Sequence, residues 1–344
     1  MTTDIELLEN FPLAPAAPAP LYFNTVERAW ILSTYDDVRA ALRSPFLSQA
    51  RPPRQGRLKE RTSAQPAKHS GFDSGFELRA AAGWEIKTKY DARLLLKDLH
   101  DSREIDLVKE FIRPWCLRAA LLLTGTGPEH GPYLASLVDD LCESDAQPFD
   151  PFLRTRAQEA NLQLDAFFHA QATGLLKSLF LGVAQTVPAF LGSAWAALLQ
   201  NPDQRTELQI HPERMTNAVE EFLRYAGPVH TLFRQANADL DLSGTNIACG
   251  DMLLLRVSSA NRDPQRFDDA NQLTVTRDVR GHLALSGGLH HCRGASIVRV
   301  MTAIATQSLL EQPWIPEICD GVGWSCGTML MWPSSLRVLL RAAY

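Results

Sequence analysis

The chain has no Cys-x-x-Cys spacing: Cys116, Cys142, Cys249, Cys292, Cys319 and Cys326 lie scattered through its 344 residues. This excludes a paired zinc framework and gives no pattern for a disulfide scaffold, so a reduced compartment is expected. The opening MTTDIELLEN lacks the basic start and apolar core of a secretory signal, which makes a cytoplasmic location the expectation. A strong charge of one sign is also missing. With 34 Lys and Arg against 39 Asp and Glu, the net charge is -5, and no nucleic-acid role is expected. No linker or internal repeat divides the sequence. Residues 1–344 therefore read as a single domain, and 45% hydrophobic residues suffice for one large core.

One long uncharged run is present at 178–202, SLFLGVAQTVPAFLGSAWAALLQNP. It is long enough for a bilayer span, but Gln185, Thr186, Pro188, Ser193 and Gln200 favour a helix buried through a soluble domain, with no membrane partner. Before it, apolar residues at helical spacing over 86–141 and in RTRAQEANLQLDAFFHA predict further helices. LYFNTVERAWILST reads as a short hairpin and YDDVRAALRS as a helix. TLFRQANADLDLSGTNIACGDMLLL reads as short strands turning at SGT and CGD. Residues 51–71 hold six Lys or Arg, one Glu and three Pro, and a mobile surface loop is expected there. The pattern is mainly α with a small β-rich portion.

The stretch SGGLHHCRGA, 286–295, sets Cys292 among glycines and two histidines, directly before an apolar helical run. Three chemistries compete for it. Zinc needs four ligands and has no second Cys/His group at finger spacing. A nucleophilic cysteine would need its general base from elsewhere, because adjacent residues rarely meet side chain to side chain. Haem-thiolate ligation needs a glycine-rich loop that approaches the sulfur closely, and a helix N-terminus that favours negative charge.

HLALSGGLHHCRGASIVR resembles the cysteine-loop signature of the cytochrome P450 family, with His290, Cys292, Gly294, Ala295 and Arg299 in matching places. EFLR, ANRDPQRF and LTVTR follow the family's order, and YDDVRAALRSPFLSQARPP resembles its N-terminal portion. The resemblance implies a P450 fold and haem b on Cys292. It implies that Arg234 and His290 meet haem propionates and that Gly288 and Gly294 let the loop approach. Glu221 and Arg224, at the i, i+3 spacing of an ion pair, would join Arg277 as scaffolding.

GVAQT, 182–186, ends sixteen positions before Pro202, where the family's oxygen-side helix carries an acid-alcohol pair. Thr186 matches the alcohol, whereas Gln185 replaces the acid and cannot shuttle a proton as a carboxylate does. Val183 replaces a glycine that helps open the helix. Pro188 is expected to supply the opening, since it offers no N–H to the Ala184 carbonyl and its ring pushes against it. Position-matching places Ala184, Val229, His230, Met329 and Leu330 on the substrate side, predicting a mostly apolar pocket with one histidine.

The likeness covers 20–50 and 105–344 and thins between them. There KHSGFDSGFELR stands for the haem-contacting helix, with His69 a propionate contact and Asp73 where a basic residue is usual. LDAFFHAQATGLLK runs almost straight into the apolar run, as in a shortened variant. Leu285 and Ser286 replace a common Phe-Gly. The expected function is oxidation of a small organic substrate, a secondary metabolite, by dioxygen with ferredoxin and ferredoxin reductase as electron donors, hydroxylation being the default. Peroxide-driven turnover, coupling or desaturation are alternatives, as is a non-catalytic P450-like scaffold that binds a partner.

Overall fold

A computed structural model describes residues 19–50, 74–99, 104–169 and 174–342. The expected loop at 51–71 lies outside the described residues. Strands β1 (Tyr22–Asn24) and β2 (Ala29–Leu32) form the hairpin, and helix α1 (Tyr35–Arg43) follows. Thr34 caps α1 by accepting the Asp37 N–H at 3.3 Å, while Asp36 and Asp37 meet the positive end of its dipole and Arg43 the negative end. After β3 (Leu47–Gln49) come α2 (Ser74–Lys97), β4 (Glu104–Asp106) and α3 (Arg113–Thr124), which stops at Gly125 in the left-handed region, φ 67°.

Helices α4 (Gly131–Ala146) and α5 (Pro151–His169) pack as an antiparallel pair, followed by α6 (Gly174–Leu181) and α7 (Val187–Gln200). α6 and α7 flank a π turn, Gly182–Thr186, within one apolar length from Leu175 to Gln200. That length is sufficient to cross a bilayer, but half of its apolar window is buried, and every residue of α7 from Val187 to Leu198 is buried. Both of its faces meet protein. Trp195 of α7 stacks on Phe111 at 5.3 Å, Phe111 stacks on Trp115 at 5.8 Å, and the Trp195 indole N–H donates to Thr306 at 3.1 Å.

Then follow α8 (Pro202–Ile210), α9 (Met215–Ala226), β5 (Leu232–Ala236), β6 (Leu240–Leu242), β7 (Thr245–Ile247), β8 (Met252–Leu255) and α10 (Val257–Ala260). The β6–β7 turn puts Ser243 and Gly244 at φ 52° and 78°, the paired positive values of a tight hairpin turn. One sheet runs β1-β2-β8-β5-β3, with β2 and β8 parallel and the other neighbours antiparallel. α11 (Ala295–Leu310) leads into β9 (Trp314–Cys326) and β10 (Met331–Ala342), which pair with β4 in a second sheet. The molecule is mainly helical with smaller strand-rich portions.

Loop 261–277 hangs on α9. Glu221 and Arg224 have no exposed side-chain surface and are paired by two bonds, Nε to Oε2 at 2.7 Å and Nη2 to Oε1 at 2.8 Å. Arg224 also donates to the carbonyls of Asn261, Ala270 and Gln272, and Glu221 also accepts Thr274 N–H and Arg277 Nε. A buried charge pair survives only when its remaining donors and acceptors are satisfied, and here they are.

Candidate active site

The cysteine loop is built by short backbone bonds. Ser286 N–H donates to Leu283 O and Cys292 N–H to Leu285 O, both at 2.9 Å, and a single 3-10 turn spans Gly288–His290. Gly288, at φ 60°, lies so close to α1 that an added Cβ would come within 2.7 Å of the Leu42 carbonyl. Its glycine is needed for docking the loop on α1. At Gly294 the nearest atom to an added Cβ is the Cys292 sulfur, 3.9 Å away. α11 begins at Ala295 with Gly294 as its cap, so the sulfur sits beside the positive end of a long helix dipole. Ser286 adopts φ 62°, which glycine reaches without strain, and its buried Oγ has no partner.

Arg234 and His290 come together beside this loop. Arg234 lies on β5 opposite Leu253 of β8 and Gln49 of β3, is 3% exposed, and donates Nη1 to Phe233 O at 2.9 Å. Its Nε is buried without a partner, and burial lowers its pKa to about 10. His290 donates to the Leu47 carbonyl; burial and the nearby Arg234 charge hold its pKa down. An unmatched buried guanidinium next to an imidazole is a place for an anion. Cys292 packs, partly buried, against the hydrophobic core that contains Val183 and is joined by Ala184. The described residues thus fit a haem: a lone thiol at a helix start, and a buried guanidinium able to hold propionate charge with an imidazole beside it. Among them, no three His, Cys, Asp or Glu cluster as a metal site. His69 lies outside the described residues.

Behind the sulfur a second network forms. Glu220 of α9 accepts Arg299 Nε at 2.5 Å, Arg299 Nη2 at 3.0 Å and the His282 ring at 3.0 Å. Burial alone would raise the Glu220 pKa, but these bonds and charges outweigh it and hold the carboxyl at about 2. Arg299 is also within electrostatic reach of Cys292.

On the α6–α7 side the ladder widens just before Pro188. Val187 N–H donates to Gly182 O, five residues back, and α7 starts with Pro188 in its first turn. A cavity of about 390 Å³ opens here, reached by Ala184, Gln185 and Pro188 from one side and Leu330 from another. α4 supplies Val138, Asp139, Cys142, Glu143 and Ala146, spaced as one helical face. The Gln185 side chain hydrogen-bonds the Cys142 thiol, whose pKa is raised by burial. Beside these apolar groups the cavity is also lined by Arg113, Asp139, Glu143, Gln147, Ser325 and Ser334, because the face of α4 turned inward carries acids.

Val229, His230 and Met329 sit outside this cavity's lining, in a strap. Val229 bridges Leu330, and His230 N–H donates to Met329 O at 3.0 Å. The His230 ring lies 3.0 Å from Gly327 O and 2.9 Å from Thr231 Oγ1, and burial lowers its pKa. A neutral ring therefore donates Nε2–H to Gly327 and accepts from Thr231. Asp145, at the end of α4, closes the strap by accepting Thr328 N–H at 3.3 Å and Thr328 Oγ1 at 3.1 Å. Sequence reasoning missed Cys142, Asp145 and Glu220. For the first two, the only sequence signal is their spacing on one helix.

Known proteins match this chain as follows. A family model described as Cytochrome P450 matches residues 211–312. Cytochrome P450 monooxygenase PikC of Streptomyces venezuelae is 32% identical over 215 residues, 62% of this chain and 50% of PikC. The chain thus spans about half the length of that relative. Mycinamicin IV hydroxylase/epoxidase of Micromonospora griseorubida is 27% identical over 97% of this chain and 94% of its own. The crystal structure of the cytochrome P450 enzyme CYP109B1 from Bacillus subtilis superposes with a TM-score of 0.81 at 25% identity, covering 93% of this chain and 96% of that one.

Proposed function

The chain belongs to the cytochrome P450 family of monooxygenases, and we propose that it holds haem b through Cys292 and oxidises a small organic secondary metabolite in the cytoplasm. Electrons come from a ferredoxin with its reductase, and hydroxylation is the default outcome. The observation that carries this is Arg234, a buried guanidinium with an unpartnered Nε, set beside His290 and the Cys292 loop. When bound, the haem supplies the redox chemistry that activates dioxygen.

The chain's own residues have separable tasks. Cys292 offers a thiolate favoured by the α11 N-terminus. Arg234 neutralises propionate charge with the His290 imidazole beside it, and Gly288 and Gly294 leave room for the loop to dock and turn. Ala184 and Gln185 of the widened turn Gly182–Thr186 line the cavity, which supports their place on the substrate side, and Thr186 closes the same turn. Thr186 contributes a hydroxyl able to hold or pass a proton. Leu330 lines the cavity, Val229, His230 and Met329 approach the substrate from the strap beside it, and the polar groups of the lining favour a hydrophobic substrate with a polar handle. The largest core cluster, which joins residues from Trp84 to Leu340, supports a single P450-like domain. A carbon monoxide difference spectrum of the reduced protein tests the assignment: a thiolate-type Soret band is expected, and its absence leaves only the scaffold reading.

A second reading concerns reaction type. Gln185, bonded to Cys142, provides no ionisable proton where the family has an acid. This favours peroxide-driven turnover, oxidative coupling or desaturation over rapid dioxygen-dependent hydroxylation. Product formation with hydrogen peroxide, compared with the ferredoxin system, decides between them.

A further inference from the structure

We propose that the cavity between α1 and the entry to the cysteine loop is a binding site for a small polyvalent anion of the diphosphate class. The cavity measures about 350 Å³, and Arg39 and Arg43 from α1 line it together with Arg266, Arg280 and Ser286. Four guanidinium groups from separate parts of the chain thus face one hollow. Two carboxylates answer them: Asp36 stands 3.9 Å from Arg39, and Asp278 binds Arg280 at 2.5 Å. His282, also in the lining, is taken by Glu220. Among the described residues, Arg43 and Arg266 form no ion pair. The hollow therefore keeps positive charge that no group among the described residues neutralises.

Arg266 is held in place before any ligand arrives. Its guanidinium lies 5.3 Å from the Tyr35 ring centre and 4.8 Å from that of Phe267, and its Nη2 donates to Arg280 O at 2.6 Å. Tyr35 is fixed in turn, its hydroxyl donating to Gly281 O at 2.6 Å and its N–H to Asp263 at 2.8 Å. Gly281, at φ 89°, permits this closeness, since an added Cβ would stand 3.0 Å from the Tyr35 hydroxyl and 3.4 Å from Arg266 Nη2. Aromatic faces and a carbonyl orient the guanidinium and leave its other N–H groups for a ligand.

Ser286 is the independent sign of an occupant. It lines the cavity, its Oγ is buried with no partner, and it keeps a left-handed backbone that glycine adopts without strain. An oxyanion supplies the missing acceptor. A single carboxylate from a protein surface satisfies one guanidinium fork, whereas guanidinium groups on several walls of a hollow match a ligand with oxygens on several sides.

Titration calorimetry of the haem-loaded full chain with inorganic pyrophosphate, at fixed ionic strength, tests this. Saturable binding is expected, tighter than for inorganic phosphate. Arg266→Ala and Arg43→Ala should each weaken it about tenfold, the loss of one charge-assisted contact. Ser286→Gly should weaken it less, and Arg341→Ala, paired with Glu317 on the second sheet, not at all. If Arg266→Ala fails to fold, Arg43→Ala carries the test, because the Arg43 side chain is exposed. Absence of saturable binding, or affinity unchanged in both arginine variants, overturns the proposal. So does binding of an acidic ferredoxin through these arginines when pyrophosphate does not bind, for the hollow is then a protein-docking surface.

Discussion

The amide of Gln185 and the thiol of Cys142 are hydrogen-bonded across the cavity between the π turn and α4. The contact holds the Gln185 amide against α4, at the position proposed for proton delivery. An amide holds position there but cannot lose and regain a proton near neutrality.

Gln185→Glu is expected to raise the fraction of reducing equivalents that end in product. A positioned acid or base contributes roughly 10²–10⁴-fold in rate where proton transfer limits; with the Thr186 hydroxyl proposed to supply part of this, a gain of about tenfold is expected. Product formed per NADPH consumed in a reconstituted ferredoxin system measures it. No gain, with the substrate still bound, means proton supply does not limit this chain.

Haem retention should depend on Arg234 through charge. A hydrogen bond to a charged group contributes about 1.5–3 kcal/mol, so Arg234→Leu should speed haem loss to an acceptor protein about tenfold or more, and Arg234→Lys should restore part of the hold. Cys292→Ala should remove the thiolate-type band of the reduced carbon monoxide complex. Persistence of that band would require another ligand.

Much of this arrangement is legible in sequence because it is local. Helical spacing gives α1, α3, α4 and α9, the SGT turn gives the β6–β7 hairpin, and Glu221 with Arg224 are an i, i+3 pair on their face. Pro188 marks an opening, although its form, a π turn that keeps the helix continuous, depends on how the preceding turn is packed. What was hidden is long-range. Nothing in the sequence joins Cys142 to Gln185, or brings Arg39 and Arg43 to Arg266 and Arg280; the fold does so through tertiary packing. The left-handed backbone at Ser286 is signalled only by the glycine common at that position, since a serine itself gives no local sign of it.

Breaking the Glu221–Arg224 pair should cost more than any surface change. Removing one partner of a buried pair leaves the other charged and unmatched, at about 3–5 kcal/mol. Glu221→Ala also deprives Arg277 and Thr274 N–H of their acceptor. Urea unfolding should show a loss of that order, or no folded protein at all. A loss under 1 kcal/mol would mean that loop 261–277 does not hang on this pair.

Glu220 gives the stability a sign in pH. Its folded pKa of about 2 lies below the ordinary glutamate value of 4.5, because the bonds from His282 and Arg299 outweigh burial. The native state therefore favours the ionised form, and the stabilisation is fully present above about pH 4.5 and lost as pH falls towards 2. With 26% of its side chain open to solvent, screening reduces the contribution to about 1–2 kcal/mol. Glu220→Gln should lower the urea midpoint at pH 7, and the gap to the unaltered chain should narrow at pH 3.5. A gap that is constant across this range would assign the effect to packing, because a lost packing contact does not titrate.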